Sequence, residues 1–376
     1  MEEYGEKAKG EIMSSLIVEV CKIDKIEKHP NADRLRIATI KGWNCIIGLD
    51  DFNIGDVCIF CPPDSIIPDK IIDQYKLEYL KNGARVRTVK LRGFISQGLA
   101  LKISCLPNPD GDWEGQDVGK ILGIKKYEPP ISSHLQKGGN KPTKKKRNPL
   151  FDKYTDIENI KNYNRVFNES DIVIITEKIH GTNFRAGKLL RYKDNLLGKI
   201  LSWIFGKYEF VYGSHNVQLH ALNKRKNFYG EDIYGQIAKK YNLAETIPND
   251  YIVYGEIYGK KIQELEYNMK DIDFRVFDIK YKSKYLDWFE VEQLCNDWNL
   301  STVPVLYTGE YTPQKIEKYT IGSSKLAYTI DKTKDHIREG CVIKSIIDSN
   351  HPRIGRKILK SLNPEYLLQK NRTEHH

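Results

Sequence analysis

Ile172-Val173-Ile174-Ile175-Thr176-Glu177-Lys178-Ile179-His180-Gly181-Thr182-Asn183 decides how this chain reads. Four apolar residues run as a strand toward Lys178, and Gly181-Thr182-Asn183 closes behind it as a turn. A lysine amine ordinarily keeps its proton to a pH of about 10.4, so one that attacks phosphorus needs positive charge or a metal nearby. Alone, the stretch reads equally as an ordinary strand and turn. Four motifs farther along the chain decide between the two.

Glu209-Phe210-Val211-Tyr212-Gly213-Ser214-His215-Asn216 is a strand leading to a polar turn, suited to a ribose or a hydrated metal. In Tyr251-Ile252-Val253-Tyr254-Gly255-Glu256-Ile257-Tyr258-Gly259 a single carboxylate stands on an apolar strand. Such an acid is expensive to bury unless it meets a hydroxyl, a cation or a metal. Asp273-Phe274-Arg275-Val276-Phe277-Asp278-Ile279-Lys280 alternates aromatic and polar residues, and Phe277 reads either as a base-stacking ring or as core. Arg338-Glu339-Gly340-Cys341-Val342-Ile343-Lys344 repeats the carboxylate-glycine pattern, and Arg353, Arg356, Lys357 and Lys360 come next as phosphate-gripping bases. One lysine, two carboxylates and a basic strand suit metal-assisted nucleotidyl transfer. A divalent ion would offset phosphate charge while the bases orient a pyrophosphate leaving group.

The composition agrees. The 376 residues suffice for two domains, and 40% hydrophobic with 29% charged residues marks a globular chain. The net charge of +10 favours a polyanionic partner such as nucleic acid. No apolar run approaches the roughly 18 residues that span a bilayer. Met1–Gly10 is charged and lacks a signal-peptide core, so an intracellular protein is expected, cytoplasmic or nuclear, with no membrane partner. Of seven cysteines only Cys58 and Cys61 share a Cys-x-x-Cys, with no second pair at zinc-ligand spacing. Buried reduced thiols are expected.

Short β-rich runs separated by turn residues fill Leu16 to Gly123, the pattern of a small barrel or sandwich. The run from Lys137 to Arg147 is basic, with no acid, and reads as a solvated linker. Between Leu189 and Gly206, apolar residues from Leu196 to Phe205 recur at helical spacing and predict a helix packed on its own domain.

Two resemblances emerge. Ile26-Glu27-Lys28-His29-Pro30-Asn31-Ala32-Asp33-Arg34-Leu35 resembles the opening of the oligonucleotide-binding (OB) barrels attached to some tRNA synthetases and RNA ligases. Lys90-Leu91-Arg92-Gly93-Phe94-Ile95-Ser96-Gln97-Gly98 adds bases and an aromatic that suit a nucleic-acid face. From Ile172 to Leu368 the chain resembles the covalent nucleotidyltransferases of the ATP-dependent ligase superfamily, and within them RNA ligases of the nick-sealing type. Lys178, Glu256, Phe277, Glu339 and Lys360 fall on that family's motif positions.

The resemblance implies an α+β chain: an N-terminal OB-fold β-barrel at 1–125, a basic linker at 126–150, and at 151–376 an α/β nucleotidyltransferase domain built on antiparallel sheets. It implies catalysis by Lys178, Glu256, Glu339, Lys360 and Lys357. Nucleotide contacts would come from Glu177, His180, Gly181, Asn183, Asn216, Phe277, Lys357 and Lys360. Mg²⁺ or Mn²⁺ would sit on Glu256 and Glu339, with ATP as cofactor and nicked duplex RNA or an RNA/DNA hybrid as partner of a monomer. His180 departs from the more common Lys-x-Asp-Gly form; it either replaces a metal-holding carboxylate or acts on the adenylate. The companion of Lys360 is open between Lys357 and Arg356, because Lys357-Ile358-Leu359-Lys360 is one residue wider than Lys-x-Lys. The rival readings are a capping-type guanylyltransferase, using GTP, and a non-catalytic RNA-binding protein.

Overall fold

The computed structural model describes residues 16–127, 148–191, 207–220, 232–333 and 336–369. The basic run Lys137 to Arg147 and the apolar positions Leu196 to Phe205 lie outside them. Within the described residues, 16–127 with 156–164 and 367–369 make one compact unit, and 148–155 with 165–366 the other.

The first unit is built from short antiparallel strands. Glu19–Lys22, Val57–Cys61 and Leu99–Lys102 form one sheet, and Lys25–Lys28, Leu35–Ile40 and Trp43–Gly48 another. In Trp43–Gly48 the buried residues are Trp43, Cys45 and Ile47, with exposed Asn44 between them, the period-two pattern of a strand with one face in a core. Trp43 and Phe60 meet in that core with ring centroids 6.0 Å apart, among Cys21, Cys45 and Cys58. All seven cysteines are free thiols and only Cys105 is partly exposed, as expected for thiols used as small apolar side chains. A short strand at Val89–Leu91 pairs with Phe94–Ser96. Arg92 (φ 48°) and Gly93 (φ 94°) make the tight turn between them, both in the left-handed region that a two-residue hairpin loop demands. This hairpin meets the other stretch singled out from sequence. His29 packs edge-on against Phe94 at 5.1 Å, and Asn31 Nδ2 donates to the Arg92 carbonyl at 3.0 Å.

Two antiparallel sheets carry the second unit. One runs in the order Gln218–His220, Tyr208–Gly213, Thr182–Leu190, Tyr251–Gly259, Ile272–Tyr281, Lys284–Tyr285. The other places Ile358–Leu362, Gly340–Ser345, Ile172–Lys178 and Val305–Glu310 side by side. Val173, Ile174 and Ile175 are buried on both faces of the Lys178 strand, each worth about 1.5–3 kcal/mol of apolar transfer. The chain leaves this strand at Lys178, turns through Ile179-His180-Gly181, and enters the other sheet at Thr182. The Lys178 turn is therefore the stitch between the two sheets.

Candidate active site

Strand register assembles the site. Lys178 pairs with Gly340, which pairs with Leu362, while Thr176 pairs with Val342 and Val342 with Lys360. Residues directly opposite or two apart share a face, so Lys178, Lys344 and Lys360 lie on one face of this sheet. Strict alternation from Val342 would send Glu339 to the other face. Gly340 breaks it: with φ 156° it approaches so closely that a Cβ would lie 2.1 Å from the Ser361 carbonyl oxygen. Released from the alternation, Glu339 reaches Lys178, whose Nζ donates to Glu339 Oε1 at 2.5 Å.

A second glycine brings the other carboxylate in. At Gly181 a Cβ would stand 2.2 Å from the Ile257 carbonyl oxygen and 2.9 Å from Glu256 Cγ, so only glycine lets the turn close on the Glu256 strand. Asn183 then pairs directly with Glu256 across the two strands. Burial pushes the Glu256 carboxyl up to about 8, with the Lys178 charge pulling it down and Glu339 pushing it further up. Glu339 goes the opposite way. Burial works to raise it, but Lys178 and then His180 outweigh burial and hold it at about 2. Two carboxylates beside one lysine are thus driven apart, the signature of a reactive site.

His180 is buried. Its amide donates to the Tyr267 hydroxyl at 2.6 Å, Nδ1 lies 2.9 Å from the Tyr366 hydroxyl, and Glu339 Oε2 stands 3.6 Å away, past hydrogen-bond reach. Phe277 is half-buried at a bulge: pairing passes from Tyr254 with Asp278 to Gly255 with Val276, which leaves Phe277 as the extra residue and re-aims its side chain. The Tyr154 ring packs on it at 4.7 Å, and Lys344 Nζ donates to its carbonyl at 3.3 Å. Beneath it Asp278 is fully buried with Arg356 at 2.6 Å and Lys344 at 3.2 Å. Burial works to raise its carboxyl, but Lys344 and Arg356 bring it below the ordinary range.

Three expectations change. Lys357 does not join Lys360: by strand parity it falls on the other face, and its Nζ pairs with Asp171 Oδ2 at 2.7 Å. Arg356, the other companion considered, is committed to Asp278 and Asp348 and lies 3.7 Å over the Tyr285 ring. Glu177, expected to touch nucleotide, faces away from Lys178. It accepts from Ser324 Oγ at 2.5 Å and from the Leu326 amide at 3.0 Å, at the start of the short helix Lys325–Ile330. Asn216 stands exposed in the turn after Tyr208–Gly213. Sequence reasoning missed Tyr267, Asn363 and Tyr366. No spacing rule singles out one tyrosine among 23.

Whether a divalent ion suits this site is a question of donors. Among the described residues, Glu339 Oε2 and Asn183 Oδ1 are buried oxygens without a hydrogen-bond partner, and at Glu256 the Lys178 charge does not offset burial, so its carboxyl stays raised to about 8. Oxygen donors of this kind suit Mg²⁺ or Mn²⁺. Among the described residues no three His, Cys, Asp or Glu side chains gather as a ready-made cage. An ion here would complete its shell with phosphate oxygens or water, the common habit of Mg²⁺.

A lysine–carboxylate pair at the junction of two antiparallel sheets, on a chain that opens with a small β-barrel, defines the nucleotidyltransferase class. The RNA ligase family's sequence profile matches residues 171–362, and the chain belongs to that family. An OB-fold domain profile matches residues 17–103. Among solved structures, Naegleria gruberi RNA ligase in an apo variant form is 25% identical, with a TM-score of 0.70 over 94% of this chain and 98% of that one. The same enzyme with pyrophosphate gives 25% identity and 0.69 over 94% and 98%. A variant of it with ATP and Mn gives 25% and 0.70 over 93% and 98%. No curated protein sequence matches the chain.

Proposed function

We infer that this chain is an ATP-dependent RNA ligase that seals 3′-hydroxyl/5′-phosphate nicks in duplex RNA through a lysyl-AMP on Lys178. The observation that carries the reading is the Lys178–Glu339 hydrogen bond beside a Glu256 pushed to about 8. The solved Naegleria gruberi enzyme with ATP and Mn supports the choice of nucleotide and ion.

In the first step Lys178 Nζ attacks the α-phosphorus of ATP. The N–P bond forms, the bond to the bridging oxygen breaks, and pyrophosphate leaves. Lys360, on the same sheet face as Lys178, would hold phosphate charge, and half-buried Phe277 would pack on the base. In the second step a 5′-phosphate oxygen attacks the adenylyl phosphorus and frees the lysine. In the third a 3′-hydroxyl attacks the activated 5′-phosphorus, forms the phosphodiester, and AMP leaves while the hydroxyl proton passes to solvent or base. Glu339, Glu256 and Asn183 would hold a divalent ion. When bound, it supplies positive charge that favours the neutral amine and offsets the triphosphate. Glu339 matters twice, because as the counter-ion of Lys178 it must give up the ammonium before attack. The hairpin Val89–Ser96 and residues 1–125 are read as the RNA-gripping part, and 126–150 as a tether.

The test is to incubate the protein with Mg²⁺ and α-labelled ATP or GTP, denature it, and look for label on the polypeptide, with Lys178→Ala as control. Label from ATP that vanishes in the variant supports the reading. Label from GTP assigns guanylyl transfer instead, and no label leaves an RNA-binding protein. Sealing of a nicked duplex, with and without residues before Lys137, then separates catalysis from RNA grip.

A further inference from the structure

Behind His180 lies a short segment that the proposed reaction does not use. After the Lys360 strand, Asn363 turns back on the residues around Glu339. Its amide N–H donates to the Glu339 carbonyl at 2.8 Å, and its side-chain Nδ2 donates to the Arg338 carbonyl at 3.0 Å. Asn363 Oδ1 in turn accepts from the Glu365 amide at 3.0 Å and starts the helical turn from Pro364. One residue thus fixes the backbone of Arg338-Glu339 and launches the turn that carries Tyr366. The Tyr366 side chain is completely buried, and its hydroxyl meets His180 Nδ1 at 2.9 Å with the rings edge to face. Nothing about packing requires that hydroxyl, since a buried phenol pays for desolvation unless it is bonded.

We propose that Tyr366 is a positioning residue for nucleotidyl transfer. Its hydroxyl fixes the His180 imidazole beside Glu339, and Asn363 fixes the backbone that aims Glu339 at Lys178. One end of the clamp holds the imidazole that stands beside the Glu339 carboxylate, and the other holds the Glu339 backbone. By sequence the role of His180 is open between metal holding and action on the adenylate; the clamp gives the ring a fixed place in either. The proposal rests on the ligase reading.

Tyr366→Phe removes only the oxygen, and Lys178 labelling by ATP and Mg²⁺ reads the result. The expected outcome is labelling about 10- to 100-fold slower at saturating ATP. Half-saturation by ATP should stay within about threefold and the melting temperature within a few degrees, because the ring still fills its place. A double-mutant cycle separates positioning from packing: in a His180→Ala background, Tyr366→Phe should cause no further loss. Wild-type labelling rates in Tyr366→Phe, or losses that simply multiply in the double variant, overturn the proposal. Should Tyr366→Phe fail to fold, Asn363→Asp gives the second reading. It keeps the Oδ1 contact to Glu365 and loses the donor to the Arg338 carbonyl, so slowed labelling is expected and an unchanged rate overturns the clamp. A wild-type protein that takes no label overturns the ligase reading and this one together, whereas normal wild-type labelling with an unimpaired Tyr366→Phe overturns this one alone.

Discussion

Lys178 and Glu339, 161 residues apart in the chain, share a hydrogen bond of 2.5 Å, and the carboxylate is almost wholly removed from water. Removing either partner of such a buried pair leaves the other charge uncompensated, so Lys178→Ala should destabilise the fold by about 3 kcal/mol at neutral pH. The pH dependence has a definite sign. Glu339 is held at about 2, below its ordinary 4.5, so the stability it contributes is present above 4.5 and lost as pH falls through 2. The melting-temperature gap between wild type and Lys178→Ala should therefore be wide at pH 7 and close toward pH 2. Thermal unfolding at both values checks it, and an equal gap at both would contradict the pairing.

Glu256 has the opposite sign. Its carboxyl is raised from 4.5 to about 8, so the folded protein holds a proton that the unfolded chain has lost, and stability falls as pH rises through that window. Glu256→Gln should melt several degrees above wild type at pH 8.5 and match it near pH 4, while ligation is lost. Adding Mn²⁺ in weak buffer at pH 7 should release more protons from wild type than from the variant, by up to about one. Equal release from the two proteins would place the ion elsewhere.

Lys357 and Lys360 separate by face rather than by spacing. Lys360→Ala should lower adduct formation by a factor of 100 or more, on the scale of removing one preorganised phosphate donor, about 3 kcal/mol. Lys357→Ala breaks the pair with Asp171 and the contact of its ammonium over the Phe167 ring, and should keep labelling within about threefold, since partly exposed pairs are worth about 1 kcal/mol or less. Equal losses from the two substitutions would mean that the strand register is wrong.

Much of this site was legible before any coordinates, for a physical reason. Lys178, Glu256 and Glu339 each sit beside or near a glycine at a strand end, and those glycines are needed where backbones approach too closely for a Cβ, as at Gly181 and Gly340. Close approach leaves a mark in sequence. Face does not, when the strand begins between two candidates: Lys357 and Lys360 differ by three residues, and only the pairing of Lys360 with Val342 shows which one shares a sheet face with Lys178. The place of Phe277 at a bulge is equally invisible in the sequence, because a bulge that re-aims one residue carries no local signature. Tyr366 and Tyr267 reach His180 by tertiary contact alone.

Glu177 separates fold from chemistry within one motif. Although next to Lys178, it faces the other way, and its carboxylate takes the Ser324 hydroxyl and the Leu326 amide at the start of a helix. Burial raises its carboxyl, with those same bonds pulling back. Glu177→Ala would strand both donors in a dry interior, at a cost of about 2–3 kcal/mol. At about 2–4 °C per kcal/mol for a unit of this size, the melting temperature should drop by roughly 5–10 °C. Ser324→Ala should lower it by less, because the Leu326 bond survives. If Glu177 acts only through the helix, the Glu177→Ala protein that remains folded at low temperature should bind ATP with unchanged half-saturation and take label on Lys178. A large rise in the ATP concentration needed, without a fall in melting temperature, would return Glu177 to the nucleotide.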